Sequence, residues 1–195
     1  MCEKAYLILT INPLMQIDNS PETIKYGAWA LSLLSENQET HKKIVNSGAL
    51  PTLSNLITSQ IHYEINKYCI ITIANLASSG ENYEKLMELE CRDFIILKFL
   101  DTCDNHVQYY ILKYVLGLCQ SPAAQAQDSK SQNIRKFLIM TSYLEPILRC
   151  AVSPDIKVAN ITLEIIKYIS LSLIWNLINS LIVVLLLQKK IKANL

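Results

Sequence analysis

Apolar residues recur at helical spacing along most of this chain, and the spacing sorts them into short stretches separated by polar breaks. Residues 37–45 read as a short polar helix whose apolar edge is Ile44 and Val45. Ser47 and Gly48 break it, because glycine relieves the backbone at a sharp helix exit. A second helix begins at Ala49-Leu50-Pro51, with proline tolerated in the first turn. Leu50, Leu53, Leu56 and Ile57 give it a single apolar stripe. A third helix is predicted from about Tyr63 to Ala77, with Ile65, Cys69, Ile70, Ile73, Leu76 and Ala77 on its buried side. The same plan returns downstream: a short helix over 82–90, a second through 94–100 and a third through 107–119. Upstream, residues 6–35 match only the last two helices of the plan. Leu7, Ile8, Ile11, Leu14 and Met15 stand for the second, and 26–34 for the third.

These stretches share one period. Leu34, Leu76 and Leu118 lie 42 residues apart, as do Ile11, Leu53 and Ile95, then Met15, Ile57 and Phe99, then Tyr26, Tyr68 and Tyr110. A fixed period in the low forties marks stacked helical units, each burying its apolar side against the next. The register slips after residue 121. Leu144-Glu145-Pro146 resembles Leu50-Pro51-Thr52, yet lies 94 residues on rather than 84. The extra residues fall in a small and polar segment over 120–133, read as an inserted loop. The predicted organisation is therefore a repeat domain over 6–169, with units at 6–36, 37–79, 80–121 and 130–169. The last unit has a weak first helix near 134–140, and its third helix starts after Ser153-Pro154-Asp155, where Ser or Asp can cap free amides.

At residue level the chain resembles the armadillo-repeat family. The resemblance rests on Ile44-Val45-Asn46-Ser47-Gly48-Ala49-Leu50-Pro51, followed by Ile73-Ala74-Asn75-Leu76-Ala77. Gly27-Ala28-Trp29-Ala30-Leu31 repeats the third-helix pattern. Helical pairs of the HEAT type are the nearest alternative, but the Gly-Ala-Leu-Pro turn favours armadillo. The resemblance implies an all-α, right-handed armadillo-like α-solenoid of about 3.5 three-helix repeats. It also implies a concave groove, lined by third helices, that binds protein or extended peptide. Some members of the family hold basic import signals on ladders of Trp and Asn one helical turn apart. This chain breaks that ladder. Trp29 is followed by Leu33, Asn75 is preceded by Ile71, and the third unit carries Lys113 and Gly117. Binding of import signals is not expected.

The candidate partner-binding residues are Trp29, Tyr26, Tyr68, Asn75, Tyr110 and Lys113. Each Tyr lies three residues before the Trp-equivalent position and shares its face. Tyrosine suits such a face because its ring is apolar and its hydroxyl polar. The plainer reading is that the rings cover seams between helices and that Asn75 satisfies backbone of a neighbouring unit.

Composition excludes more than it suggests. The net charge of +1 lacks the clustered Lys and Arg that nucleic acid requires, so no nucleic-acid partner is expected. No cofactor is expected, since there is no Gly-rich phosphate loop, and no metal, since the cysteine gaps match no zinc pattern. His41, His62 and His106 fall at predicted helix ends or turns, far apart in the stack, and no nucleophile–base arrangement supports catalysis. The chain is read as non-enzymatic. Its six cysteines are read as reduced thiols of an intracellular, mainly cytoplasmic protein, because no secretory signal precedes them. Cys91 and Cys103 are expected to be partly exposed.

Residues 168–188 contain no charged side chain, a length able to cross a bilayer as a helix, and Lys189, Lys190 and Lys192 follow. Asn176, Asn179 and Ser180 near the middle oppose that reading. An apolar C-terminal helix over 170–195 that caps the stack is the favoured expectation, and a membrane anchor is the alternative. The functional expectation is a scaffold or adaptor. A tail-anchored protein displaying its repeats to the cytosol, or a shortened form of a longer repeat protein, stand as alternatives.

Overall fold

A computed structural model of the chain describes residues 3–59, 62–101, 104–121, 138 and 143–170. The predicted inserted loop, the weak helix near 134–140 and the segment beyond 170 lie outside these residues, apart from positions 120, 121 and 138. Every regular element among the described residues is helical.

The chain opens with α1 (Glu3–Leu14) and α2 (Pro21–Leu34). Ser20 caps α2 by accepting the Thr23 amide, and Pro21 supplies the first turn. The next unit is α3 (Gln38–Asn46), α4 (Ala49–Ser59) and α5 (Tyr63–Ala77). Gly48 sits between α3 and α4 at φ +77°, a left-handed conformation that L side chains disfavour, so the chain reverses there without a loop. The third unit is built from a 3₁₀ turn (Gly80–Asn82), α6 (Tyr83–Met87), α7 (Cys91–Phe94) and a π turn (Ile95–Phe99), closed by α8 (Asn105–Gln120). Asp104 caps α8 through the amides of His106 and Val107. Two further helices follow among the described residues: α9 (Leu144–Cys150) and α10 (156–170). The Asp155 carboxylate accepts from the amides of Lys157 and Val158, so the expected cap of this last helix is present.

Two of the four repeat rows lie wholly in the core. Ile11, Leu53 and Ile95 are buried, and so are Met15, Ile57 and Phe99. The helices α2, α5 and α8 pack side by side, while α4 backs α5 and meets α7 of the next unit. The seam between α4 and α7 is pinned where the Cys91 amide donates to Ser54 Oγ at 3.2 Å. Tyr114 of α8 is fully buried and donates its hydroxyl to the Leu86 carbonyl of α6 at 3.1 Å. Closest of all is α8 against the end of α5. A Cβ on Gly117 would stand 2.5 Å from the Ala77 carbonyl oxygen, so only glycine fits there.

Three expectations need correction. The first helix of the third unit, expected over 82–90, is confined to Tyr83–Met87, and the second helix winds as a π turn over Ile95–Phe99. The pairs Ile95-Ile96 and Phe99-Leu100 are all buried, and the wider winding sets Phe94 and Phe99 edge to face at 5.6 Å between ring centres. Cys91 is buried rather than partly exposed, and burial pushes its thiol up to about 11, so it is inert at neutral pH. Cys103 lies outside the described residues.

His41 is the third correction. It sits inside α3, only 2% exposed, rather than at an open helix end. Nε2 lies 2.7 Å from the Ser35 carbonyl oxygen and Nδ1 2.6 Å from Ser79 Oγ, which ties the end of α2 to the turn that follows α5. Burial, together with the Lys113 charge, pushes its pKa below the ordinary value, against the opposing bond to Ser35. The folded state thus favours the neutral ring. This contribution is complete above the unfolded value of about 6.5 and is lost as pH falls from there through the lower folded value. Urea midpoints should therefore drop between pH 7.5 and pH 5.5, and the drop should shrink in a His41→Gln variant. An equal drop in that variant would remove His41 as its source.

Candidate functional site

Helices α2, α5 and α8 bring the 42-residue rows onto one face. On α2 the residues Tyr26, Trp29 and Leu33 follow one stripe and stand 61%, 46% and 48% exposed. They form an apolar patch at one end of the face. On α5, Tyr68 is half-buried, Ile71 is buried and Asn75 is buried. On α8, Tyr110 and Lys113 are half-buried. The structure therefore brings the six sequence candidates to one side of the stack but treats them unequally.

Asn75 is an internal connector. Its Nδ2 donates to Ser35 Oγ at 2.9 Å, and its Oδ1 accepts from Lys113 Nζ at 2.7 Å. Ser35 Oγ in turn donates to the Ser32 carbonyl, and Ser32 Oγ to the carbonyl of Trp29. A line of polar contacts thus runs from α2 through α5 to α8. The partners of Asn75 are side chains of the two neighbouring units rather than the backbone groups expected from the sequence. Sequence reasoning singled out neither Ser35 nor the contacts of His41: Ser35 meets Asn75 40 residues on and His41 meets Ser79 38 residues on, and no local spacing signals such contacts.

Ion pairs follow the same neighbour-to-neighbour logic. Lys25 of α2 reaches Glu64 of α5 at 3.0 Å, and Lys67 of α5 reaches Asp104 at the start of α8 at 3.7 Å. Lys25 and Lys67 are themselves 42 residues apart. Asp104 also accepts from the Tyr63 hydroxyl at 2.7 Å. Burial, with this carboxylate adding to it, pushes the phenol up to about 12. These pairs are exposed, so solvent screens them and they guide the pairing of units more than they stabilise it.

Around Tyr110 the face becomes aromatic and cationic. Tyr109 and His106 pack on the Tyr110 ring, with ring centres 5.5 and 5.0 Å away. Lys113 Nζ stands 5.4 Å from the centre of the same ring. Burial pushes the Lys113 pKa down and that of Tyr110 up, while the Glu36 charge raises both. Among the described residues no carboxylate approaches Lys113 within ion-pair distance; its hydrogen-bonding partner there is the neutral Asn75 amide.

Other chemistry finds little footing among the described residues. No group of three or more His, Cys, Asp and Glu side chains is placed to hold a metal ion. No described helix is long and apolar enough to cross a membrane, and the candidate segment 168–188 falls almost wholly outside the described residues. His62 and His106 are exposed and lie on different units. An open hollow of about 190 Å³ near Met15, Thr52, Asn55 and Ser59 lies at the far ends of α1 and α4 and contains no titratable group.

No protein-family model matches the sequence. No curated protein matches it at a significant level. Solved structures do match the fold. A designed armadillo repeat protein in complex with the peptide (KR)4 superposes with a TM-score of 0.67 at 21% identity, over 86% of this chain and 66% of that one. A second designed armadillo repeat protein gives a TM-score of 0.70 at 20% identity, over 83% of this chain and 64% of the other. An engineered protein gives 0.70 at 20% identity, over 84% of this chain and 37% of its own. The chain thus spans less than two thirds of the length of each of these three structures. Element order, the stacking of third helices and these superpositions agree on one conclusion: the chain is an all-α solenoid with the armadillo-type fold.

Proposed function

We propose that this chain is a non-enzymatic interaction scaffold that holds an extended segment of a partner protein along its third-helix face. The observation that carries the reading is the exposed row on α2. Tyr26, Trp29 and Leu33 project from a rigid, internally bonded helix onto a face that continues through Tyr68 to Tyr110 and Lys113. Large side chains left exposed in one stripe mark interaction surfaces more often than isolated ones do. The stack fixes their spacing before any partner arrives, which lowers the ordering cost of binding. Tyr26, Trp29, Tyr68, Tyr110 and Lys113 are assigned to contact with the partner, and Asn75 to positioning Lys113. Designed proteins of similar fold that recognise peptides support the same reading.

The test is selection of peptides from a displayed random dodecapeptide library against the full chain, followed by affinity measurement. Enriched peptides should bind at least about tenfold more weakly to a variant combining Tyr26→Ala, Trp29→Ala and Tyr68→Ala, provided that its helicity is unchanged. Absence of enrichment, or equal binding by the variant, would reject the third-helix face.

A further inference from the structure

The two ends of the third-helix face differ in chemistry, and the difference specifies a ligand. On α2 the face is apolar, with Tyr26, Trp29 and Leu33 exposed. On α8 it carries the ammonium of Lys113, half-buried beside the Tyr110 ring. That ammonium gives one hydrogen bond to the neutral Asn75 oxygen at 2.7 Å. A lysine ammonium has three donors and no acceptor, so two remain for a ligand. The other lysines of the face are already paired, Lys25 with Glu64 and Lys67 with Asp104. The charge of Glu36 acts on Lys113, yet no ion pair joins the two. The face thus holds a positioned positive charge whose held partner is an amide. Asn75 is itself bonded to Ser35, so Lys113 is oriented by a chain of contacts that reaches back to α2.

We infer that the segment bound on this face is acidic at one point and apolar at another: an Asp or Glu side chain pairs with Lys113, and a Leu, Phe or similar side chain packs on Tyr26 and Trp29. The inference rests on the scaffold reading above and adds the composition of its ligand. Spacing follows from the stack. Trp29 and Lys113 occupy equivalent rows two units apart. Packed helices lie about 8–10 Å apart, so the separation is about 16–20 Å. An extended chain covers that distance in about five or six residues. Tyr68 lies between on α5, and Tyr110 stands one turn from Lys113 on α8; both have hydroxyls able to donate to, or accept from, the backbone of the segment.

The experiment uses the dodecapeptides enriched on the full chain. Their sequences should show Asp or Glu about five or six positions from a large apolar residue. For the tightest of them, replacing its acidic residue with Lys should weaken binding at least about tenfold, and rising salt should weaken the original peptide more than the replaced one. The Lys113→Met variant should lose a similar factor, whereas Lys113→Arg should keep affinity within a few-fold. Equal binding of the acidic and Lys-replaced peptides overturns the inference, and because that comparison leaves the protein untouched it does not depend on how any variant folds. Enriched peptides that lack an acidic residue yet still depend on Tyr26 and Trp29 would overturn the acidic anchor and leave the scaffold reading standing. Failure to enrich any peptide would overturn both.

Discussion

Replacing Gly117 with alanine should destabilise the protein, although alanine is the better helix former by about 1 kcal/mol. Two effects compete, and geometry decides between them. The new Cβ would meet the Ala77 carbonyl oxygen at 2.5 Å, its carbon at 2.7 Å and the Ala77 Cβ at 3.0 Å. Two of these three atoms are backbone, which cannot rotate away as a long side chain would. The stack must instead part where α8 meets the end of α5. Overpacking of this kind costs about 1–3 kcal/mol, so Gly117→Ala should lose a net ~1 kcal/mol and Gly117→Val about 3 kcal/mol. Urea unfolding followed by circular dichroism measures both. A gain in stability for Gly117→Ala would mean that α8 does not approach α5 as described.

The second large effect is expected at Asn75. The Asn75→Ala change removes the acceptor of the half-buried Lys113 ammonium and the donor that reaches Ser35. Leaving buried polar groups without partners costs about 1–3 kcal/mol, and more where a charge is involved. A loss of about 3 kcal/mol is expected. Lys113→Met alone removes the charge together with its bond and should cost less. If the two residues act as one unit, the double variant should recover about 1–2 kcal/mol relative to the sum of the single losses. Strict additivity would show that the contact contributes nothing to stability. The same result bears on function: a loss of peptide binding in Asn75→Ala would mix partner contact with a disturbed stack, which is why the binding tests above leave Asn75 intact.

The sequence was informative wherever one helix determines its own fate. Tyr63–Ala77 falls on the expected bounds because Ile65, Cys69, Ile70, Ile73 and Leu76 keep one stripe. Gly48 marks its reversal because only a left-handed residue can close it. Local reading failed where the deciding contact lies a unit away. His41 stands in the polar run Thr40-His41-Lys42-Lys43, and nothing local shows that Ser79, 38 residues on, will meet its ring. Asn75 looked equally suited to a partner or to the interior until Ser35 and Lys113 were seen on either side. The π turn at Ile95–Phe99 escaped notice because paired apolar residues spaced by four also fit an ordinary helix. The candidate face was therefore legible as a set of positions, since the 42-residue period alone aligns Tyr26, Tyr68 and Tyr110. Which of its members are free to meet a partner was not, because that depends on pairing between units.

The polar line from Trp29 through Ser32, Ser35 and Asn75 to Lys113 also has a mechanical meaning. Its links are joined in series, and they lie on the side of the stack that carries the third helices. Two of the links cross between helices, Asn75 to Ser35 and Asn75 to Lys113, and bending the solenoid so as to spread that side stretches both together. The array resists being flattened along its third helices, and a segment laid across them meets a ruler of nearly constant pitch.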